Sequence, residues 1–315
     1  SSQSRGLGDV YKRQTIEDVE SDSQNKIAIV NVEGTIVTGE AAYNVAGSDT
    51  IVKNIRNAIK DDSVKALVLR VNSPGGDVWA SELITNALSE FKSSGRPIVT
   101  SMGDIAASGG VWVTTQSDEI LAKEETITGS IGVYGIIPTL DGIYEWAGIQ
   151  VDGVSSTKAG EWDERLPMPE YVTQSIQASV DNTYDKFVSK VSDNRGMSYR
   201  EVLSIAGGRI WSGEKALKLG LVDKIGDLDD AIKSAASFAD LDDYKIVTYS
   251  KEMDPFEILL SELIDNFGGK LKLSNEARVF SRIVNSQYKF INPDKKINTA
   301  IYCFCLLYTS PSPRD

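Results

Sequence analysis

Ala66 to Val71 (ALVLRV) is a short, mostly apolar run, the pattern of a strand buried on both faces. A turn, Asn72-Ser73-Pro74-Gly75-Gly76, follows at once. Beyond it Leu83, Ile84, Ala87, Leu88 and Phe91 recur at helical spacing, with Asp77 placed as the cap and Gly95 as the stop. The same order recurs on either side. Ile27 to Val32 alternates and is β-branched, and Ser48 is placed to cap a helix with Ile51, Ile55 and Ile59 on one face. Pro97 to Met102 reads as the next strand, turning through Gly103 into Ala106-Ala107-Ser108-Gly109-Gly110 and a further helical stretch. Strands alternating with helices at this pace need parallel crossover connections, which predicts an α/β fold with helices covering a sheet.

The remainder fits one domain at 27–250. A helix is predicted from Glu170 to Asn194, with Val172, Ile176, Val180, Tyr184, Phe187, Val188 and Val191 forming a stripe for core or subunit contact. Shorter helices are predicted near Glu214–Leu219 and Asp227–Ala239, and a strand at Tyr244–Tyr249. Residues 15–26 are polar and acidic and read as a linker. Residues 251–305 read as a helical extension. Its amphipathic helix, Pro255 to Phe267, has an acidic polar face that favours packing over membrane-surface binding. Residues 1–14 and 306–315 read as non-native ends, so the chain is expected to be a fragment lacking its true N-terminus.

Composition narrows the chemistry. The 315 residues include no histidine, which removes the Ser-His-Asp triad, the Cys-His pair and the HExxH zinc site together. Hydrolysis would then need a lysine, a carboxylate or a terminal amine as its base. A net charge of −12 repels a phosphate backbone, so nucleic acid is not an expected partner. Cys303 and Cys305 stand too close for an ordinary disulfide. The longest apolar run, Ala300 to Tyr308, falls well short of the roughly 18 residues of a membrane span. No metal or cofactor is expected.

Two glycine-bearing turns and one serine carry the candidate site. Gly75 and Gly76 directly follow a buried strand, where they permit positive φ and bring bare N–H groups close to a ligand. The helix after them favours an anion or oxyanion. PGG alone would also suit a plain strand-to-helix turn. Ser108 occupies the equivalent place one crossover later, between two alanines and two glycines, so nothing bulky shields its hydroxyl. Gly109 can offer an N–H to the oxygen that Gly75 or Gly76 would face, the constellation acyl transfer needs. AASGG would also serve tight helix packing.

VLRVNSPGG (Val68 to Gly76), AASGGVW (Ala106 to Trp112), TGSIGVYG (Thr128 to Gly135) and RIWSGEKALKLGLVDKIG (Arg209 to Gly226) resemble the signature segments of the signal peptide peptidase A (protease IV) family. The resemblance implies a Clp protease/crotonase-like fold of repeated β-β-α crossover units. It implies a serine endopeptidase with a Ser/Lys dyad, acting on hydrophobic peptides such as released signal peptides. The implied setting is the periplasmic face of the bacterial inner membrane, reached through a segment not present in this chain, with self-association into a homo-oligomer. On these motifs Ser108 matches the nucleophile, Gly109 and the Gly75-Gly76 pair match the oxyanion loops, and Ser130 matches a serine that holds the lysine amine. Lys158 falls where the general-base lysine lies in single-unit members.

A lysine amine ordinarily titrates near 10.4, so a base lysine must be desolvated and held by hydroxyls. The acidic leader and the FINPDKK segment are most similar to the second half of tandem members, in which the first half supplies the lysine. Two alternatives follow: a half-molecule or scaffold whose base lay elsewhere, and a crotonase-like acyl-CoA enzyme with the same paired N–H groups.

Overall fold

The computed structural model describes residues 23–40 and 45–250 and the backbone of 302–303. The expected leader at 1–14, most of the linker, the helical extension apart from 302–303 and the tail at 306–315 lie outside the described residues.

In chain order the first elements are β1 (Lys26–Glu33), β2 (Thr35–Val37), β3 (Val45–Gly47), α1 (Ser48–Lys60), β4 (Val64–Ser73), β5 (Gly76–Asp77) and α2 (Val78–Lys92). Next come β6 (Ile98–Ala107), α3 (Gly109–Trp112), β7 (Glu119–Ala122), β8 (Ile127–Gly129), α4 (Asp141–Trp146), α5 (Glu170–Arg195) and α6 (Tyr199–Ile205). The last are β9 (Ile210–Ser212), α7 (Gly213–Lys218), β10 (Lys224–Ile225), α8 (Leu228–Phe238), β11 (Lys245–Tyr249) and β12 (Tyr302–Cys303).

The main sheet runs β10-β7-β6-β4-β1-β11 with every pairing parallel. β8 joins β6 in parallel and β9 in antiparallel fashion. A small second sheet runs β12-β5-β2-β3, in which β12 alone is antiparallel. In β4-β5-α2, as in β1-β2-β3-α1, a long strand enters the main sheet, a short one enters the small sheet, and a helix returns. This is the α/β architecture of repeated β-β-α crossovers that the resemblance implied.

Alternation along the strands explains the unbroken apolar runs. Ala28, Val30, Val32, Leu67, Leu69 and Val71 join the cluster that takes in Ile51 and Ile55 of α1 and Ile84 and Leu88 of α2. Ile27, Ile29, Ala66 and Val68 lie on the other face with Ala231, Ile232 and Ala235 of α8. Each such Leu, Ile or Val contributes about 1.5–3 kcal/mol on burial, so strands with two apolar faces need both helical layers.

Three details differ from the sequence reading. β6 does not turn at Gly103 but continues to Ala107. Its register against β4 slips between the pairs Val71↔Met102 and Ser73↔Ala106. Gly103 is glycine because Asn72 lies against it: a Cβ there would stand 2.8 Å from Asn72 Oδ1. Ser48 is the first residue of α1 rather than its cap, and its hydroxyl accepts from Gly39 N–H. The α5 stripe divides: Phe187, Val188 and Val191 are buried, whereas Val172, Ile176 and Val180 remain half-buried. This chain's own core covers only the second half of α5.

Candidate active site

Ser108 stands at the turn from β6 into α3 with φ 53° and ψ −118°. L-residues rarely adopt that region, and holding one there costs about 1–3 kcal/mol. The turn is pinned by Ser108 N–H donating to the Gly129 carbonyl (2.9 Å). The Ser108 carbonyl accepts from Val111 and Trp112 N–H. The hydroxyl itself is buried and, among the described residues, is the one buried side-chain polar atom without a hydrogen-bond partner. An unpaired buried hydroxyl is destabilising by about 1–3 kcal/mol, so stability does not explain this arrangement.

The glycine turns close on Ser108 with almost no space between backbones. A Cβ on Gly75, whose φ is +101°, would lie 2.6 Å from Gly109 N and 2.9 Å from Ser108 Cβ. A Cβ on Gly109 would lie 3.1 Å from Gly76 N, and one on Gly76 would strike the Ile36 carbonyl. Only glycine lets the PGG and SGG loops approach this far. Gly75 N–H is already donated to Ser73 Oγ (3.1 Å). Gly76, the other candidate donor of this loop, stands opposite Cys303 of β12, and its amide nitrogen lies close to Gly109.

Ser130 stands beside this turn. It is 4% exposed, has φ 51°, and donates its N–H to the Arg209 carbonyl at 2.6 Å. Gly129, just before it, is the acceptor for Ser108 N–H. Ser108, Ser130 and Asp240 are the non-glycine residues of positive φ among the described residues. Two of the three are thus candidate site serines on adjoining turns.

Lys158 lies elsewhere. It begins a short 3-10 turn, its side chain is exposed, and its carbonyl accepts from the Tyr171 hydroxyl (2.6 Å). The surrounding segment exposes Ile136, Ile143, Trp146, Ile149 and Val154, and α4 within it buries no residue. The fold brings Ser108, Ser130, Gly75, Gly76 and Gly109 together, and within one chain it does not bring Lys158 to Ser108 Oγ. No group of three or more His, Cys, Asp or Glu that could hold a metal occurs among the described residues.

Several supporting residues escaped the sequence reading. The Asp77 carboxylate, expected only as a cap, accepts from Trp79 and Ala80 N–H and also from Thr38 Oγ1 at 2.9 Å. It thereby ties β5 to the chain beyond β2. Trp112, four residues after Ser108, packs on Phe187 with ring centroids 4.7 Å apart and donates Nε1–H to Glu82. Lys190 closes the same cluster on Glu82 at 3.2 Å. The helix carrying Ser108 is thus anchored to α2 and to the root of α5. Ser73 Oγ was a readable omission, because Ser-x-Gly is the pattern of a hydroxyl turn onto the second following amide.

Comparison with known proteins identifies the family. Residues 90–242 match the family described as Peptidase family S49. The chain is 43% identical over 211 residues to Protease 4 of Haemophilus influenzae, covering 67% of this chain and 34% of that protein. It is 36% identical over 266 residues to Protease 4 of Salmonella typhi, covering 84% of this chain and 43% of that one. A provisionally named signal peptide peptidase SppA of Enterococcus faecium is 34% identical over 271 residues, covering 83% of this chain and 78% of that protein. The chain therefore spans less than half the length of the two Protease 4 relatives.

Proposed function

The chain belongs to peptidase family S49, and from that premise we propose that it is a serine endopeptidase with Ser108 as nucleophile. The observation that carries this reading is the buried, unpartnered Ser108 hydroxyl, held in a strained turn against the amides of Gly76 and Gly109. Ser108 Oγ attacks the scissile carbonyl carbon while a neutral lysine amine takes its proton. The oxyanion forms between the Gly76 and Gly109 N–H groups, donors worth about 10²–10³ in rate each. As the C–N bond breaks, the lysine ammonium returns the proton to the departing amine. Water, deprotonated by the same lysine, then opens the acyl ester and Ser108 regains its proton.

The lysine of this scheme is Lys158 of a second copy of the chain, with Ser130 orienting its amine. Support comes from an exposed Lys158 on a segment rich in exposed apolar side chains, and from a Ser108 hydroxyl with no partner of its own. A second reading places the base in another part of a longer protein. The short share of the Protease 4 relatives that this chain covers favours it.

The substrates we propose are hydrophobic peptides, cleaved signal peptides among them, met at the extracytoplasmic face of the bacterial inner membrane. β5, beside Ser108, pairs through its edge away from β2 with the antiparallel backbone of β12, and an extended peptide would take the place of β12 on that edge. The relatives, named as proteases and a signal peptide peptidase, support peptide cleavage. No helix among the described residues is long and apolar enough to cross a membrane.

Treatment with a fluorophosphonate followed by peptide mass mapping tests the nucleophile. An adduct on Ser108 is expected. An adduct elsewhere, or tight acyl-CoA binding with none, would overturn the reading.

A further inference from the structure

The loop that offers Gly76 N–H contains three peptide groups, and two of them are accounted for. Pro74 has no N–H. Gly75 N–H donates to Ser73 Oγ at 3.1 Å, and Ser73 is fully buried. The Gly75 carbonyl accepts from Ile36 N–H on β2 at 2.9 Å. In a trans peptide the carbonyl and the following N–H point in opposite directions. With the Gly75 carbonyl aimed at β2, Gly76 N–H is turned away from β2, toward the edge on which Cys303 of β12 stands opposite Gly76, and a Cβ on Gly109 would lie 3.1 Å from Gly76 N. One peptide plane of the loop is thus set by β2 and the preceding one by the Ser73 hydroxyl.

We propose that Ser73 is a positioning residue of the oxyanion site: its hydroxyl takes Gly75 N–H and holds the loop so that Gly76 N–H, with Gly109 N–H, faces the developing oxyanion. This rests on the reading of Ser108 as nucleophile. The role is local to the loop. The Ser73 backbone is held in register with Ala106, and its carbonyl packs against Gly110, where a Cβ would approach to 2.7 Å. Removing the hydroxyl leaves that strand in place. It strands the Gly75 amide in a buried site and frees the Pro74–Gly75 plane to rotate about a glycine, at φ +101°. A misplaced donor lowers the rate without weakening ground-state binding.

The test uses the whole chain and a hydrophobic peptide ester. Two inhibitors share the peptide: a boronic acid, which forms a tetrahedral adduct on Ser108, and a carboxamide, which does not. Ser73→Ala should lower kcat about 10- to 100-fold with KM within about twofold. Boronate affinity should fall by a similar factor while carboxamide affinity stays unchanged. Ser73→Cys keeps the shape with a weaker acceptor and should fall between, and it is judged alone by the same criteria if the alanine variant does not fold. Wild-type kcat in the variant, or equal loss for both inhibitors, overturns the inference. If wild type carries no fluorophosphonate adduct on Ser108, the proposed function falls and this inference with it. An adduct on Ser108 with kcat unchanged in Ser73→Ala overturns the inference alone.

Discussion

Ser108 N–H donates to the carbonyl of Gly129 at 2.9 Å, and this one bond sets the Ser108 turn against the turn that carries Ser130. Both serines have positive φ. Strain of about 1–3 kcal/mol at each persists only where the surroundings over-determine it. Here Gly129, Arg209 and the close-packed glycine loops do so.

Removing the Ser108 hydroxyl should abolish turnover without weakening the fold. The oxygen makes no hydrogen bond to lose, and a buried unpaired group disappears with it. Ser108→Ala is expected to melt at or above the wild-type temperature, by up to about 2–4 °C, in a calorimetric scan. A marked fall in melting temperature would mean that the hydroxyl has a structural partner.

Gly109→Ala should act through the backbone. Its new Cβ would meet Ser81 Oγ at 2.8 Å and Gly76 N at 3.1 Å, forcing apart the two amides of the proposed oxyanion site. Steady-state kinetics on a peptide ester should show kcat lower by about 10²–10³ with KM little changed. A rise in KM as large as the fall in kcat would show that the whole loop had collapsed instead.

Acid stability should report on Asp61. Hydrogen bonds from Ser63, with the Lys26 ammonium at 2.9 Å, hold its carboxyl well below the usual carboxylate range. Tyr249 of β11 donates to the same carboxylate. Because the folded value lies below the unfolded one, the stabilisation is present in full above the ordinary value of 3.8 and is lost as pH falls towards the folded value. Asp61→Asn should therefore lower the melting temperature by about 2–4 °C at neutral pH, as expected for a partly exposed pair worth about 1 kcal/mol. That difference should shrink below pH ~4. A difference that stays constant into acid would contradict the assignment.

Self-association should depend on the segment around Lys158. Trp146 is 88% exposed, and Ile136, Ile143 and Val154 are exposed nearby in sequence. Sedimentation at micromolar concentration should find oligomers of the wild-type chain and mostly monomers of Trp146→Glu. Identical profiles would remove this surface from the interface.

That helices would cover a mostly parallel sheet could be read from the sequence because strands buried on two faces leave unbroken apolar runs such as ALVLRV. Gly103 could not, since a glycine in a turn and one beneath a neighbour's side chain are the same letter. The deciding contact, Asn72, lies on another strand. Ser108 and the glycines were legible as small residues at strand ends. The strain at Ser108 was not, because residue type does not encode a φ imposed by the bond to Gly129. Asp77 was legible as a cap through its position before α2, but its bond to Thr38 joins residues far apart in the chain. The α5 stripe gave no sign of where the core would end, because Val172 and Val188 have the same chemistry and differ only in what lies opposite.

The pairing of Ser108 with a lysine from another copy of the chain is tested most directly by mixing two inactive variants. Ser108→Ala and Lys158→Ala should each fail to turn over a hydrophobic peptide ester. Subunit exchange between them is first established with labelled chains. After exchange the account predicts that activity returns, since hybrid contacts join an intact Ser108 to an intact Lys158 and no single chain holds both. Full activity of Lys158→Ala alone, or no recovery in a mixture that has demonstrably exchanged, would contradict it.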